Sequence, residues 1–148
     1  MPIGLNADPI ATYAFHVEIQ GITIAQFKEV DGLSITIGVI EHRANQLKGQ
    51  PIMRKLPGAV KFEDIVLSRG KVNDAAFWTW IKTVQDGKID EARKSGSIVL
   101  FDYAHGEVSR FNFQQGWPSK VEIGKLTAGA DSVLLETVTI THEHLEVG

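Results

Sequence analysis

The sequence contains no cysteine, which removes disulfides, thiolate nucleophiles and cysteine zinc sites together. Long apolar runs are also missing: nothing approaches the ~20 residues of a membrane-spanning helix. The opening MPIGLNADPIATY lacks the basic and apolar segments of a secretory signal, so folding in a cytoplasm is expected, with no membrane anchor. Net charge is low, with 15 Lys and Arg against 18 Asp and Glu. That balance supplies no basic field for phosphates, and sequence-specific nucleic-acid binding is not expected. Neither a nucleophile elbow nor a glycine-rich phosphate loop occurs, and no cofactor is called for.

What remains is a globular composition, 43% hydrophobic and 22% charged, in 148 residues. This is the size of one domain with one core, and residues 1–148 are read as a single unit. Stability must come from packing or from assembly.

Period-two alternation dominates the chain. Tyr13, Phe15, Val17 and Ile19 share one face of a first strand, and Gln20-Gly21 turns it into Ile22 to Val30. After Asp31-Gly32, residues Leu33, Ile35, Ile37 and Val39 alternate with Ser34, Thr36 and Gly38. His42 to Leu56 carries a glycine, a proline, several cations and no sustained period, so it reads as a long loop, and loops of ~15 residues are usually functional or disordered. Pro57-Gly58 reads as a turn. A fresh strand then runs Val60, Phe62, Ile65, Leu67, with its period slipping near Glu63-Asp64, where a bulge is expected.

The convincing helix is Asn73 to Gln85, with Asn73 as N-cap, Gly87 as stop, and Ala76, Phe77, Trp80, Ile81 and Val84 on its inner stripe. Trp78 falls to the side. The link KIDEARKSG reads as solvated. Ser97 to Ala104 reads as a central strand, His105-Gly106 turns it into Glu107 to Gln114, and Trp117-Pro118 ends that strand. Lys120 to Leu126 and Ser132 to Glu146 complete seven or eight strands and one helix. The expected class is all-β, a sandwich or barrel with one flanking helix.

Chemistry is sparse. His142 and His144 stand at i, i+2, where two strand residues share a face and can chelate a metal. No third ligand can be named, and the plainer reading is a wet face near the C-terminal end. Ser68-Arg69-Gly70 admits an anion nest, against a strand end turning toward the helix. A monomeric β-barrel carrier of an apolar ligand and a His142/His144 metalloenzyme are the rival functions. The first predicts a stable monomer and the second stoichiometric metal.

Taken in order, FHVEIQGITIAQFKEVDGLS, EHRANQ, KLPGAVKFEDIVLSRG, FWTWI, FNFQQGWPSKVEIGKL and ETVTITHEHLE form a pattern. It resembles the tube proteins of contractile-tail phages and of phage-tail-like extracellular contractile injection systems, from Tyr13 to Glu146. Its most specific parts are Val30-x-Gly32-Leu33-Ser34, Lys55 to Gly70, Trp78-x-Trp80-Ile81 and Gly116-Trp117-Pro118-x-Lys120. Ala44 and Asn45 depart from the pattern, since relatives more often have glycine there.

The resemblance implies a fold similar to the Hcp tube protein of type VI secretion. It implies six copies in a ring, and rings stacked into a hollow tube that a contracting sheath drives through a target envelope. The implied partners are further copies, a sheath protein, baseplate, tape-measure and cap proteins, and cargo in the bore. Assembly would occur in a bacterial cytoplasm. The long loop His42–Pro57 would then be the contact between rings, through Arg43, Gln46, Lys48, Met53, Arg54, Lys55 and Leu56, a mixture suited to a partly buried interface. Ser34, Thr36 and Gly38, with Thr137, Thr139 and Thr141, are expected to line the channel as short, weakly charged groups. Leu33, Ile35, Ile37, Val138 and Ile140 would turn into the protomer core.

Overall fold

The computed structural model describes residues 14–20, 22–45, 49, 51–70, 75–102, 106–129 and 134–148. Ten strands and two helices occur among them: β1 Ala14–Ile19, β2 Ile22–Gln26, β3 Glu29–Asp31, β4 Ile35–Asn45, β5 Pro51–Phe62, β6 Ile65–Gly70, α1 Ala76–Gln85, α2 Ile89–Ala92, β7 Lys94–Phe101, β8 Glu107–Ile123, β9 Leu135–Thr141 and β10 His144–Val147. The all-β class expected from alternation is found.

The main sheet runs β2-β1-β7-β8-β9-β6-β3, with β10 also on β8, and every pairing is antiparallel. One strand organises it. The first part of β8 pairs with β7 and its last part with β9, so Trp117-Pro118 does not end a strand. Instead the strand changes partners there. Gln115 has φ 56, and a side chain at Gly116 would come within 2.6 Å of the Phe113 ring. The Gly-Trp-Pro corner is thus a bend in one 17-residue strand, with glycine placed where an aromatic ring lies against the backbone.

The bend brings both halves of the sheet onto one core. Val17, Ile19, Ile98 and Phe113 come from one half, Ile65, Leu67, Val138 and Ile140 from the other, with Phe27 and Leu145. Helix α1 adds Phe77 and Trp80. Ile81 and Val84 are half-buried and Trp78 lies to the side, as the helical spacing predicts. Asn73, the expected cap, lies outside the described residues; the residue ahead of the helix is Ala75. The charged link does more than face water: it holds the turn α2, whose Ala92 is buried and accepts a 2.6 Å hydrogen bond from the Trp80 indole.

Two further readings change. Pro57-Gly58 is no turn but lies inside β5, with Pro57 opposite Val39 at an irregularity of register. The slip at Glu63-Asp64 is not a bulge. There the chain leaves one sheet for another, from β5 into β6.

Candidate assembly surface

The segment read as a long loop is a long hairpin. β4 and β5 pair from Ile35↔Phe62 to Asn45↔Pro51 and form their own two-stranded sheet. Eleven residues at about 3.3 Å each make β4 about 35 Å long. Gln46 and Lys48 lie outside the described residues. Beyond their mutual pairing, β4 and β5 make no more than slight contact with other elements. The hairpin is an arm, anchored where Leu33 and Phe62 pack against the core.

Both faces of this arm meet solvent. Residues opposite one another in an antiparallel pair share a face, so Ile35, Ile37, Val39 and Val60 lie together on one, and Ile40 with Leu56 on the other. Ile35 is 50%, Ile37 53% and Val39 65% exposed. Seven of the thirteen exposed large hydrophobic residues among those described belong to the arm. Ile35 and Ile37 are therefore not in the protomer core as expected, because among the described residues no second layer covers β4. Leu33 does pack inward, and Val138 and Ile140 are fully enclosed.

Toward its far end the arm becomes cationic. His42 stands opposite Arg54, Arg43 opposite Met53, and Lys55 opposite Glu41. Arg43, Met53, Arg54, Lys55 and Leu56 are all exposed. At the arm's root an open groove of about 490 Å³ is lined by Asp31, Gly32, Leu33, Ser34, Glu63, Asp64, Val66 and Thr139. Gly32 has φ 89, and a Cβ there would overlap the Asp64 carbonyl oxygen. Only glycine fits this turn.

The groove brings Ser34 and Thr139 together. Thr36 and Gly38 are exposed on the arm; Thr137, Thr139 and Thr141 are half-buried on β9. Thr137 and Ser68 share a hydroxyl hydrogen bond of 3.2 Å. Register also places Lys61 opposite Thr36, Lys120 opposite Thr139 and Glu122 opposite Thr137. These faces are therefore more charged than the six positions alone suggest, and Lys120 and Glu122 form an exposed ion pair at 3.2 Å.

His142 and His144 do not act as a chelating pair. The strand ends at Thr141, so His142 turns inward and is buried while His144 is exposed. Both nitrogens of His142 lie against backbone carbonyl oxygens, Nε2 at 2.8 Å from Glu63 and Nδ1 at 3.1 Å from His144. No cluster of three metal-ligating side chains occurs among the described residues. None of their helices is long and apolar enough to cross a membrane.

Sequence reasoning missed a buried ion pair. Arg69 and Glu136 are opposite in register, and the guanidinium donates to the carboxylate at 3.1 Å. The same guanidinium stacks over Phe77 at 4.8 Å. Arg69 is thus part of the core and no anion nest. Phase carries the signal: Arg69 follows Ile65 and Leu67, and Glu136 precedes Val138 and Ile140, on inward-facing positions. On the exposed face of β1 and β8, Arg110 bonds both Glu18 and Glu107. The Arg110 hydrogen bond, and after it that of His16, holds the Glu18 carboxyl below its ordinary range.

The family model of T4-like virus tail tube protein gp19 matches residues 11–146. Among solved structures, the chain is similar to one from the sheath-tube complex of the PVC extracellular contractile injection system in its extended state. That match has 22% identity, covers 95% of this chain and 91% of the other, and has a TM-score of 0.79. A chain from the tube-terminating cap of the anti-feeding prophage is 23% identical, with 99% of both chains covered and a TM-score of 0.77. Hcp1 from Flavobacterium johnsoniae is 14% identical, with 92% and 95% covered and a TM-score of 0.56. Comparison with curated proteins gives no match.

Proposed function

The chain belongs to the T4-like virus tail tube protein family, a family of structural proteins, and from that premise we propose that six copies close into a ring and that rings stack into a hollow tube. The observation that carries this reading is the arm. A two-stranded hairpin is marginal alone in water, and this one leaves apolar residues exposed on both faces. Such surface marks an interface, and its open strand edges favour pairing with further chains. Heterologous contacts between identical copies close into rings when the rotation allows, and complementary ends then stack.

In this tube the far part of the arm, with Arg43, Gln46, Lys48, Met53, Arg54, Lys55 and Leu56, forms the contact between rings. Ser34, Thr36, Gly38, Thr137, Thr139 and Thr141 line the bore. A sheath protein surrounds the tube and its contraction drives it into a target envelope; baseplate, tape-measure and cap proteins bound its ends, and DNA or effector cargo passes through. The particle assembles in a bacterial cytoplasm as a phage tail or phage-tail-like device. The work is mechanical, with no catalytic step. A carrier barrel gains nothing from the structure: the interior is filled by Ile65, Leu67, Ile98 and Phe113, and the groove is open and acidic.

Negative-stain microscopy of the protein and its parent particle, with mass measured across a concentration series, tests the reading. Rings or tubes are expected. A monomer at every concentration, absent from tubes in the particle, overturns it. Replacing Gln46 to Met53 by a short Gly-Ser link should leave rings and abolish stacking. Single cysteines at Thr36 and Thr139 in assembled tubes should react with a small maleimide and resist a bulky one.

A further inference from the structure

The arm joins the body through Glu63, the residue after β5, and the Glu63 carbonyl is held by His142. We infer that His142 is a proton-operated clamp on the root of the arm. Its charged ring donates to the carbonyls of Glu63 and His144 together and fixes the direction in which the arm leaves the body.

A carbonyl oxygen accepts hydrogen bonds and cannot donate them. A neutral imidazole has one N–H, with a lone pair on its other nitrogen. With Nε2 at 2.8 Å from one carbonyl oxygen and Nδ1 at 3.1 Å from another, either neutral tautomer sets a lone pair against an oxygen. The imidazolium satisfies both contacts with charge-assisted bonds. Water offers little relief, since His142 is only 7% exposed and its ring packs against Phe62 and Phe113, at centroid distances of 5.8 and 6.1 Å.

The two carbonyls belong to different parts of the fold. Glu63 leads from the arm into β6, whereas His144 opens β10 beside the bend of β8. The titratable groups on the elements around the ring are Glu63 and Asp64 on the link and Glu143, His144 and Glu146 beyond the turn, where His144 and Glu146 pair at 3.6 Å. On β8 the ring meets Phe113, with uncharged Gln114 next to it.

The clamped form binds one proton more than a released form with a neutral ring. Clamping therefore strengthens as pH falls and is lost as pH rises. Read with the tube assignment, on which the arm's role rests, protonation would preorganise the arm for its neighbour.

The test uses the full unassembled chain, labelled with ¹⁵N. At pH 5.5 the His142 ring should carry protons on both nitrogens. The amides of Asp64 and Ile65, corrected for intrinsic rates, should exchange roughly tenfold more slowly at pH 5.5 than at pH 8, as expected from a charged hydrogen bond gained. His142→Gln should remove that difference, and His144→Gln should keep it. A single neutral tautomer at pH 5.5, equal protection at both pH values, or a pH dependence that survives His142→Gln would overturn the clamp. The ring spectrum of the unaltered protein decides the matter even where a variant fails to fold. Rings or tubes missing under the microscope bear on the tube reading alone, because none of these measurements requires assembly.

Discussion

β4 and β9 are written in nearly the same way. Ile35-Thr36-Ile37 and Val138-Thr139-Ile140 alternate a β-branched apolar residue with threonine, yet Val138 and Ile140 are enclosed while Ile35 and Ile37 are half in water. The local pattern is identical in kind, so the difference lies in what covers it. β9 has β6 and β8 at its edges and the core beneath; β4 has β5 alone. Alternation states that a strand has an apolar face, and it does not state whether the same chain or a second copy supplies the cover.

The comparison breaks most sharply at the buried pair beneath α1. Glu136→Ala should cost about 3–5 kcal/mol in urea unfolding, because it strips the carboxylate of an ion pair from a buried guanidinium. Replacing both members, Arg69→Met with Glu136→Leu, should recover most of that loss.

Next comes the hydrophobic contrast itself. Leu67→Ala should destabilise the unassembled chain by about 2–5 kcal/mol through the cavity it leaves. Ile37→Ser on the arm should change that stability by no more than about 0.5 kcal/mol and yet prevent assembly. Equal unfolding costs at the two sites would show that the arm is covered within the protomer. Gly32→Ala at the arm's root falls between these cases, at about 1–3 kcal/mol, since it needs a left-handed residue beside the Asp64 carbonyl.

The smallest effect belongs to the exposed cluster on β1 and β8. Glu18 has its carboxyl depressed by the Arg110 hydrogen bond first and His16 second. Its contribution is present above the ordinary carboxylate value near 4.5 and is lost as pH falls through the lowered folded value. Glu18→Gln should therefore flatten the acid limb of a stability–pH curve by a few tenths of a kcal/mol, as for exposed pairs. Little change is expected at pH 7 beyond that amount.

Much of the body was legible along the chain. Val17 and Ile19, Phe77 and Trp80, and Val138 and Ile140 all occupy the inward positions that their spacing assigns. Turn chemistry misled at Pro57-Gly58 because a proline is tolerated in a strand of a two-stranded arm at an irregularity of register, here opposite Val39. It misled again at Trp117-Pro118, where a bulge carries the strand past the proline. The arm read as a loop because cations and amides interrupt its alternation, and both of its faces meet solvent, so no single period was selected. Of the residues proposed for assembly, Arg43 on β4 and Met53, Arg54, Lys55 and Leu56 on β5 are all exposed on the arm.

The sequence by itself determined the β class, the helix and its inner stripe, many of the core positions and the family pattern, because side-chain period and turn residues act over a few neighbours. It also held the phase that sends Arg69 and Glu136 inward. Only the tertiary structure decided that these two meet 67 residues apart, that β8 bends to serve both halves of the sheet, and that His142 closes on the root of the arm. Each of these depends on strand register and on which surfaces receive a cover, quantities set by the packing of distant segments and by no local preference.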